Sequence, residues 1–224
     1  MNSIFEGRTS DSPYIDMIWR GRTGPDYLAV CPADTRWHLF FTWYEGQARV
    51  MAEGALTQSI TKTQPEGMEF LVIKFALGAF MPQIPACELV DGNAILPEAN
   101  SKTFWLKGSA WQLPDFDNAE TFVERLVREE LLVVDPVVNA VMQNQQPDWS
   151  FRTVRRRFVQ ATGLTQGTIR QIERAQQAAS LLEQGVPILD AVYQAGYADQ
   201  PHLTRSLKRY YGRTPAQILQ GAAP

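Results

Sequence analysis

The side chains best suited to chemistry in this sequence are arginines, and they gather late in the chain. Arg152, Arg155 and Arg156 fall on the outward side of residues 151–162, whose apolar side is Phe151, Val154, Phe158 and Ala161. In a second stretch Leu203, Leu207, Tyr210 and Tyr211 share an arc of about 100° at helical spacing, and Pro201, His202, Arg205, Lys208 and Arg209 point the other way. A guanidinium donates paired hydrogen bonds to a guanine edge or to a phosphate. Lys208 and Arg209 suit phosphate oxygens, which add affinity without sequence choice. A short helix with an apolar back and a basic front is shaped for a DNA major groove. Taken singly, each of these residues suits a solvated face equally well.

Local signals set out the elements that must hold those side chains. Ile188, Leu189, Val192 and Ala195 recur at helical spacing, and Gly196 ends that run as a residue free to take positive φ. Tyr197 is expected to plug the turn, and Asp199 to cap the next helix with Pro201 in its first turn. Upstream, Ser150 caps the first arginine-bearing helix. Residues 167–183 read as a long connecting helix, buried through Ile169, Ile172, Ala175, Ala179 and Leu182. Such a helix spans roughly 25 Å at 1.5 Å per residue.

These residues resemble the tandem helix-turn-helix region of AraC/XylS bacterial transcription regulators. The likeness lies in Ala191, Gly196-Tyr197, the run from Asp199 through Arg205, Lys208-Arg209-Tyr210, and Gly212-Arg213-Thr214-Pro215. It continues upstream through Arg174-Ala175, Leu181-Leu182, the run from Ser150 through Phe158, and Gly163-Leu164-Thr165. The resemblance implies groove contacts from Arg152, Arg155 and Arg156 in the first module, and from Gln200, His202, Thr204 and Arg205 in the second. It also implies a cupin-like jelly-roll sensor ahead of them, an effector or partner acting there, and recruitment or blocking of RNA polymerase. One departure stands out. Residues 135–149 leave room for a single helix of good length, and Pro147-Asp148 occupies the position of the first turn. The first module is therefore shortened, and the second is expected to carry most of the sequence reading.

Charge divides the chain in the same place. Residues 148–224 hold 10 Lys+Arg against 5 Asp+Glu, whereas residues 1–147 hold 11 against 19, inside an overall charge of −3. An acidic front and a basic rear suit two functions on one chain. The front reads as short strands broken by Gly and Pro: residues 14–20, 27–31, 37–44, 47–52, 69–75, 103–106 and 109–113. That rhythm indicates a sandwich or small barrel. A helix over 118–132 follows, either covering the barrel or serving dimerisation, and Val133-Val134-Asp135-Pro136 marks a domain boundary.

No catalytic constellation is visible. His38 is the one histidine in the front half, too few for a histidine-rich metal centre, and it reads as a strand residue with one hydrogen bond. GxSxG, P-loop and GxGxxG patterns are absent. Asp115, Asp117 and Glu120 precede a helix and suit its positive end. Cys31 and Cys87 are the only cysteines, which fits a reducing compartment. With no signal-like start and no long apolar run, the protein is expected in the cytoplasm and off the membrane. Trp19, Trp37, Trp43 and Trp105 either wall a pocket for an apolar or sugar-like effector or simply form the core of the β domain.

The expectation is thus an α+β multidomain protein without enzymatic activity, metal or cofactor. A β-barrel or jelly-roll sensor or oligomerisation domain over 1–134 precedes an all-α helix-turn-helix domain over 135–224 that binds double-stranded DNA. A homodimer is compatible with this organisation but not required by it. The rival reading is a sensor or interaction protein that has lost DNA binding and antagonises a partner regulator by protein contact.

Overall fold

The computed structural model describes residues 4–25, 27–100, 102–145 and 147–221. By packing, these fall into two compact units: described residues within 1–28, 36–55 and 63–165, and described residues within 29–35, 56–62 and 166–224. Compactness therefore does not follow the expected boundary at Val134/Asp135. Helical residues up to 165 pack with the first unit, and two front-half segments pack with the second.

The first unit is built on an antiparallel sheet. Its strands are β1 (Ile4–Arg8), β2 (Ile15–Arg22), β4 (His38–Tyr44), β5 (Gln47–Glu53), β7 (Glu69–Phe75) and β9 (Asn93–Leu96), ordered β1-β2-β7-β4-β5-β9. β3 (Leu28–Cys31) and β6 (Ile60–Thr63) form a separate two-stranded ribbon. The central strand β7, EFLVIKF, is buried on both faces because strands flank it and side chains cover it above and below. Leu71, Ile73 and Phe75 join Ile18, Leu39, Phe41 and Val50 in the main core, while Phe70 and Val72 pack with Met68, Trp19 and Phe40 on the opposite face. Register fixes this division. Phe41 lies opposite Leu71 and Val50, and Leu39 opposite Ile73, so alternate residues of three strands meet on one side.

The expected barrel does not close: among the described residues the sheet is open, with β1 and β9 at its edges. A helix supplies the cover instead. The chain passes through β8 (Ala79–Phe80), α1 (Ala86–Leu89) and a three-stranded meander of β10 (Glu98–Asn100), β11 (Thr103–Leu106) and β12 (Ser109–Gln112). It then enters α2 (Ala119–Arg128), which buries Phe122, Val123 and Leu126. Phe122 meets Phe41 and Trp111 edge-on at ring separations of 5.8 and 6.0 Å, and Phe104 packs beside them. Apolar residues at helical spacing thus close the face that strands would close in a barrel. Of the two roles open to this helix, covering the sheet is the one its packing serves.

Ion pairs pin the cover. Arg8 makes a bidentate pair with Glu120 and donates to the Phe116 carbonyl at 2.7 Å. That guanidinium holds the Glu120 carboxyl down at about 2, below the usual carboxylate range. The Asp115 carboxylate accepts from the backbone of Asp117 and Asn118 ahead of α2. His38 lies opposite Glu53 on the neighbouring strand and bonds it at 3.1 Å, a structural use of the ring. The last strand, β13 (Val133–Val134), pairs with β8.

Two helices complete the first unit, α3 (Pro136–Met142) and α4 (Phe151–Thr162). In the second unit α5 (Gln166–Glu183), α6 (Ile188–Gln194), α7 (Gln200–Tyr210) and α8 (Pro215–Gly221) surround a core of Ile169, Ile172, Ala175, Ala179, Leu182, Leu203, Leu207 and Ile218. No helix among the described residues is long and apolar enough to cross a membrane.

Candidate nucleic-acid interface

The turn between α6 and α7 follows from its sequence. Gly196 takes φ +69°, the Gly196 N–H donates to the Tyr193 carbonyl, and the Tyr197 N–H reaches back to Val192 at 2.9 Å. This pair of bonds is a Schellman closure, which only a residue at ease with left-handed geometry permits. The buried Tyr197 ring then plugs the turn, sharing a 2.8 Å hydrogen bond with Ser206 and lying 4.7 Å beneath the Arg174 guanidinium. Asp199 is in extended geometry and accepts from the His202 N–H at 2.6 Å, capping α7.

α7 shows the two faces its periodicity implies. Leu203, Leu207 and Tyr210 are buried, and the Tyr210 hydroxyl donates to Gln171 of α5 at 2.9 Å. Gln200, Arg205, Lys208 and Arg209 are exposed. Two expected contact residues are less available. The Thr204 hydroxyl donates to the Gln200 carbonyl at 2.9 Å, and the half-buried His202 ring stands edge-on to Tyr197 at 5.1 Å. Tyr211, expected on the apolar arc, is half-buried and donates to Glu183; burial and that carboxylate push its hydroxyl up to about 12.

The C-terminal end of α7 holds a feature that sequence reading missed. Its last carbonyls would be unpartnered in an isolated helix. Here the Ser59 N–H donates to Arg209 O at 2.8 Å, and the Ala33 N–H donates to Tyr210 O at 2.6 Å. Gln176 of α5 in turn donates to Ala33 O at 2.8 Å. The two front-half segments of the second unit therefore finish the helix that presents Arg205. No local signal marks them, because both donors are backbone groups.

α4 stands in the first unit. Ser150 caps it, accepting from the Thr153 N–H at 3.2 Å, and Phe158 and Ala161 are buried. Arg152, Arg155 and Arg156 are exposed, whereas Arg157 turns inward. Arg157 donates to both oxygens of Asp135 at 2.9 Å and lies 4.1 Å over the Trp149 ring. Asp135 also caps α3 by accepting from the Val137 N–H at 2.9 Å. Phe151 departs from the apolar side assigned to it and is 84% exposed, and nearby Trp149 is 45% exposed. The first helical residue projects beyond the neighbours that bury Phe158. Leu189 of α6, at 70% exposure, likewise leaves its expected apolar face.

The four tryptophans do not line one pocket. Trp37 is core, stacked on Phe75 at 4.1 Å with its indole N–H on Ala79 O at 2.6 Å. Trp19 packs on the opposite face of the sheet with Phe40, and Trp105 is exposed. Trp43 lines an open cleft of about 470 Å³, with Arg20, Arg22, Glu69 and Phe116. Strand alternation separates Trp19 from Trp43, since Trp19 pairs with Val72 and Trp43 with Glu69, three residues apart on β7.

Comparison with known proteins places these helices. A family model described as a helix-turn-helix domain matches residues 148–221, which run from just before α4 to the end of α8. Those residues form a helix-turn-helix domain. The chain is 40% identical over 55 residues to an uncharacterized HTH-type transcriptional regulator, YbfI, of Bacillus subtilis. That match takes in 25% of this chain and a fifth, 20%, of the relative. Two solved structures of ToxT from Vibrio cholerae are also similar. One aligns at 11% identity and a TM-score of 0.42 over 96% of this chain and 98% of its own. The other, bound to (E)-4-(8-methylnaphthalen-1-yl)but-3-enoic acid, aligns at 10% identity and 0.42 over 98% and 99%.

Proposed function

We propose that this chain is a cytoplasmic, sequence-specific DNA-binding regulator of transcription. Residues 135–224 contact double-stranded DNA and the front half receives an input. The observation that carries this reading is α7. Within a matched helix-turn-helix domain it buries Leu203, Leu207 and Tyr210 and leaves Arg205, Lys208 and Arg209 exposed behind a closed, capped turn. Arg205 and Gln200 read base edges, Lys208 and Arg209 hold phosphates, and His202 and Thr204 stiffen the N-terminal turn at the groove. In α4, Arg152, Arg155 and Arg156 make the corresponding contacts. The outcome at a promoter is recruitment or blocking of RNA polymerase. The input is a small effector or a second copy of the chain acting on the first unit, and no catalytic step is assigned.

The experiment is selection of genomic fragments by the purified full-length protein, followed by titration across a salt series. Specific binding that weakens steeply with salt is expected. Arg205→Ala should weaken it more than Arg156→Ala, because the first module is short. An equal or larger loss at Arg156 overturns that ranking. Weak binding indifferent to sequence overturns the function in favour of a partner antagonist acting by protein contact.

A further inference from the structure

One large side chain beside the exposed arginines of α4 has no part in the fold. Phe151 opens the helix directly after its Ser150 cap and is 84% exposed. It stands one helical turn before Arg155 and next to Arg152, both exposed, and the half-exposed Trp149 lies two residues earlier. Scattered surface apolar residues are ordinary. This one is different in its place, an aromatic ring set among three cationic side chains at the leading end of a helix.

A recognition helix brings its N-terminal residues to base edges. The major groove offers one apolar feature to such a side chain, the 5-methyl group of thymine. Resting on the DNA-binding reading above, we infer that Phe151 is a specificity-determining residue that packs on a thymine methyl in the site of the first module. Arg152, Arg155 and Arg156 supply the charge that brings the ring to the groove. The ring makes no hydrogen bond, so its selectivity is for the methyl group alone. Phe151 thus gives the shortened module a means of choosing sequence that does not depend on a deep helix insertion.

The test uses the full-length protein and a genomic fragment it selects. Each thymine in the bound site is replaced in turn by deoxyuridine, which keeps base pairing and removes only the methyl. Burial of one methyl corresponds to about a fourfold change in affinity. One or two thymines outside the segment protected by α7 should show that loss with the wild-type protein. Phe151→Ala should bind the thymine fragment about fourfold more weakly and no longer distinguish thymine from deoxyuridine there, with an unchanged salt slope. Phe151→Leu should keep the distinction. A flat deoxyuridine scan, or a Phe151→Ala loss equal on both fragments, overturns this inference while leaving DNA binding intact. Failure to select any fragment overturns the DNA-binding reading and this inference with it. Unchanged thermal melting of Phe151→Ala is expected from the exposure of the ring and shows that the effect is one of recognition.

Discussion

Gly163 ends the first arginine-bearing helix and Gly196 ends the helix just ahead of the second, and their surroundings differ enough to separate conformation from packing. Gly196 after α6 has φ +69° and Gly163 after α4 has φ +72°, so alanine at either meets a similar left-handed penalty. That penalty is about 1–2 kcal/mol, partly offset by about 0.4–1 kcal/mol from a less flexible unfolded chain. A Cβ on Gly196 would meet nothing within 4 Å, so Gly196→Ala should cost about 1 kcal/mol in all. A Cβ on Gly163 would lie 2.7 Å from Ala86 O and 2.8 Å from a Val90 methyl. The methyl can yield, but the carbonyl belongs to the backbone of α1 and cannot move alone. Overpacking of this kind adds about 1–3 kcal/mol, which brings Gly163→Ala to about 3 kcal/mol. For a chain of this size, each kcal/mol lowers the melting temperature by about 2–4 °C. Calorimetry should therefore show Gly163→Ala lowering its transition by at least twice the shift of Gly196→Ala, with Val90→Ala restoring part of the difference. Equal shifts would refute the assignment of the α4 end to a close backbone contact.

The other predictions concern charge and the end of α7. Because Arg8 holds the folded Glu120 carboxyl down at about 2, the pair adds stability above pH 4.5 that is lost as pH falls toward 2. Acid titration of thermal stability should show a shallower fall over that window for Glu120→Gln than for wild type. Ser59→Pro removes the N–H that donates to Arg209 O while Ser59→Ala keeps it. Urea unfolding should report a loss of about 1–2 kcal/mol for the proline variant and little for the alanine. Lys208→Ala should weaken every DNA site to a similar degree and reduce the salt slope by about 1, read from binding titrations on selected and random duplexes.

The sequence by itself determined the elements whose causes are local. Asp199 and Ser150 cap because a short acceptor side chain reaches an amide three residues on, and Gly196 closes a helix because left-handed geometry suits it. The inward leucines and outward arginines of α7 follow from helical periodicity, as do the exposed Arg152, Arg155 and Arg156. Tertiary structure decided whatever depends on residues far apart in the chain. An apolar sheet face can be covered by strands or by a helix, and only the packing of Phe122 against Phe41 shows that α2 does it. Equal strand propensity sends Trp19 and Trp43 to opposite faces once register is set. Arg157 is indistinguishable by type from Arg156, yet it turns inward because Asp135 lies beneath it. The backbone of Ala33 and Ser59 carries no mark in the sequence, and only the fold brings those amides to the last carbonyls of α7.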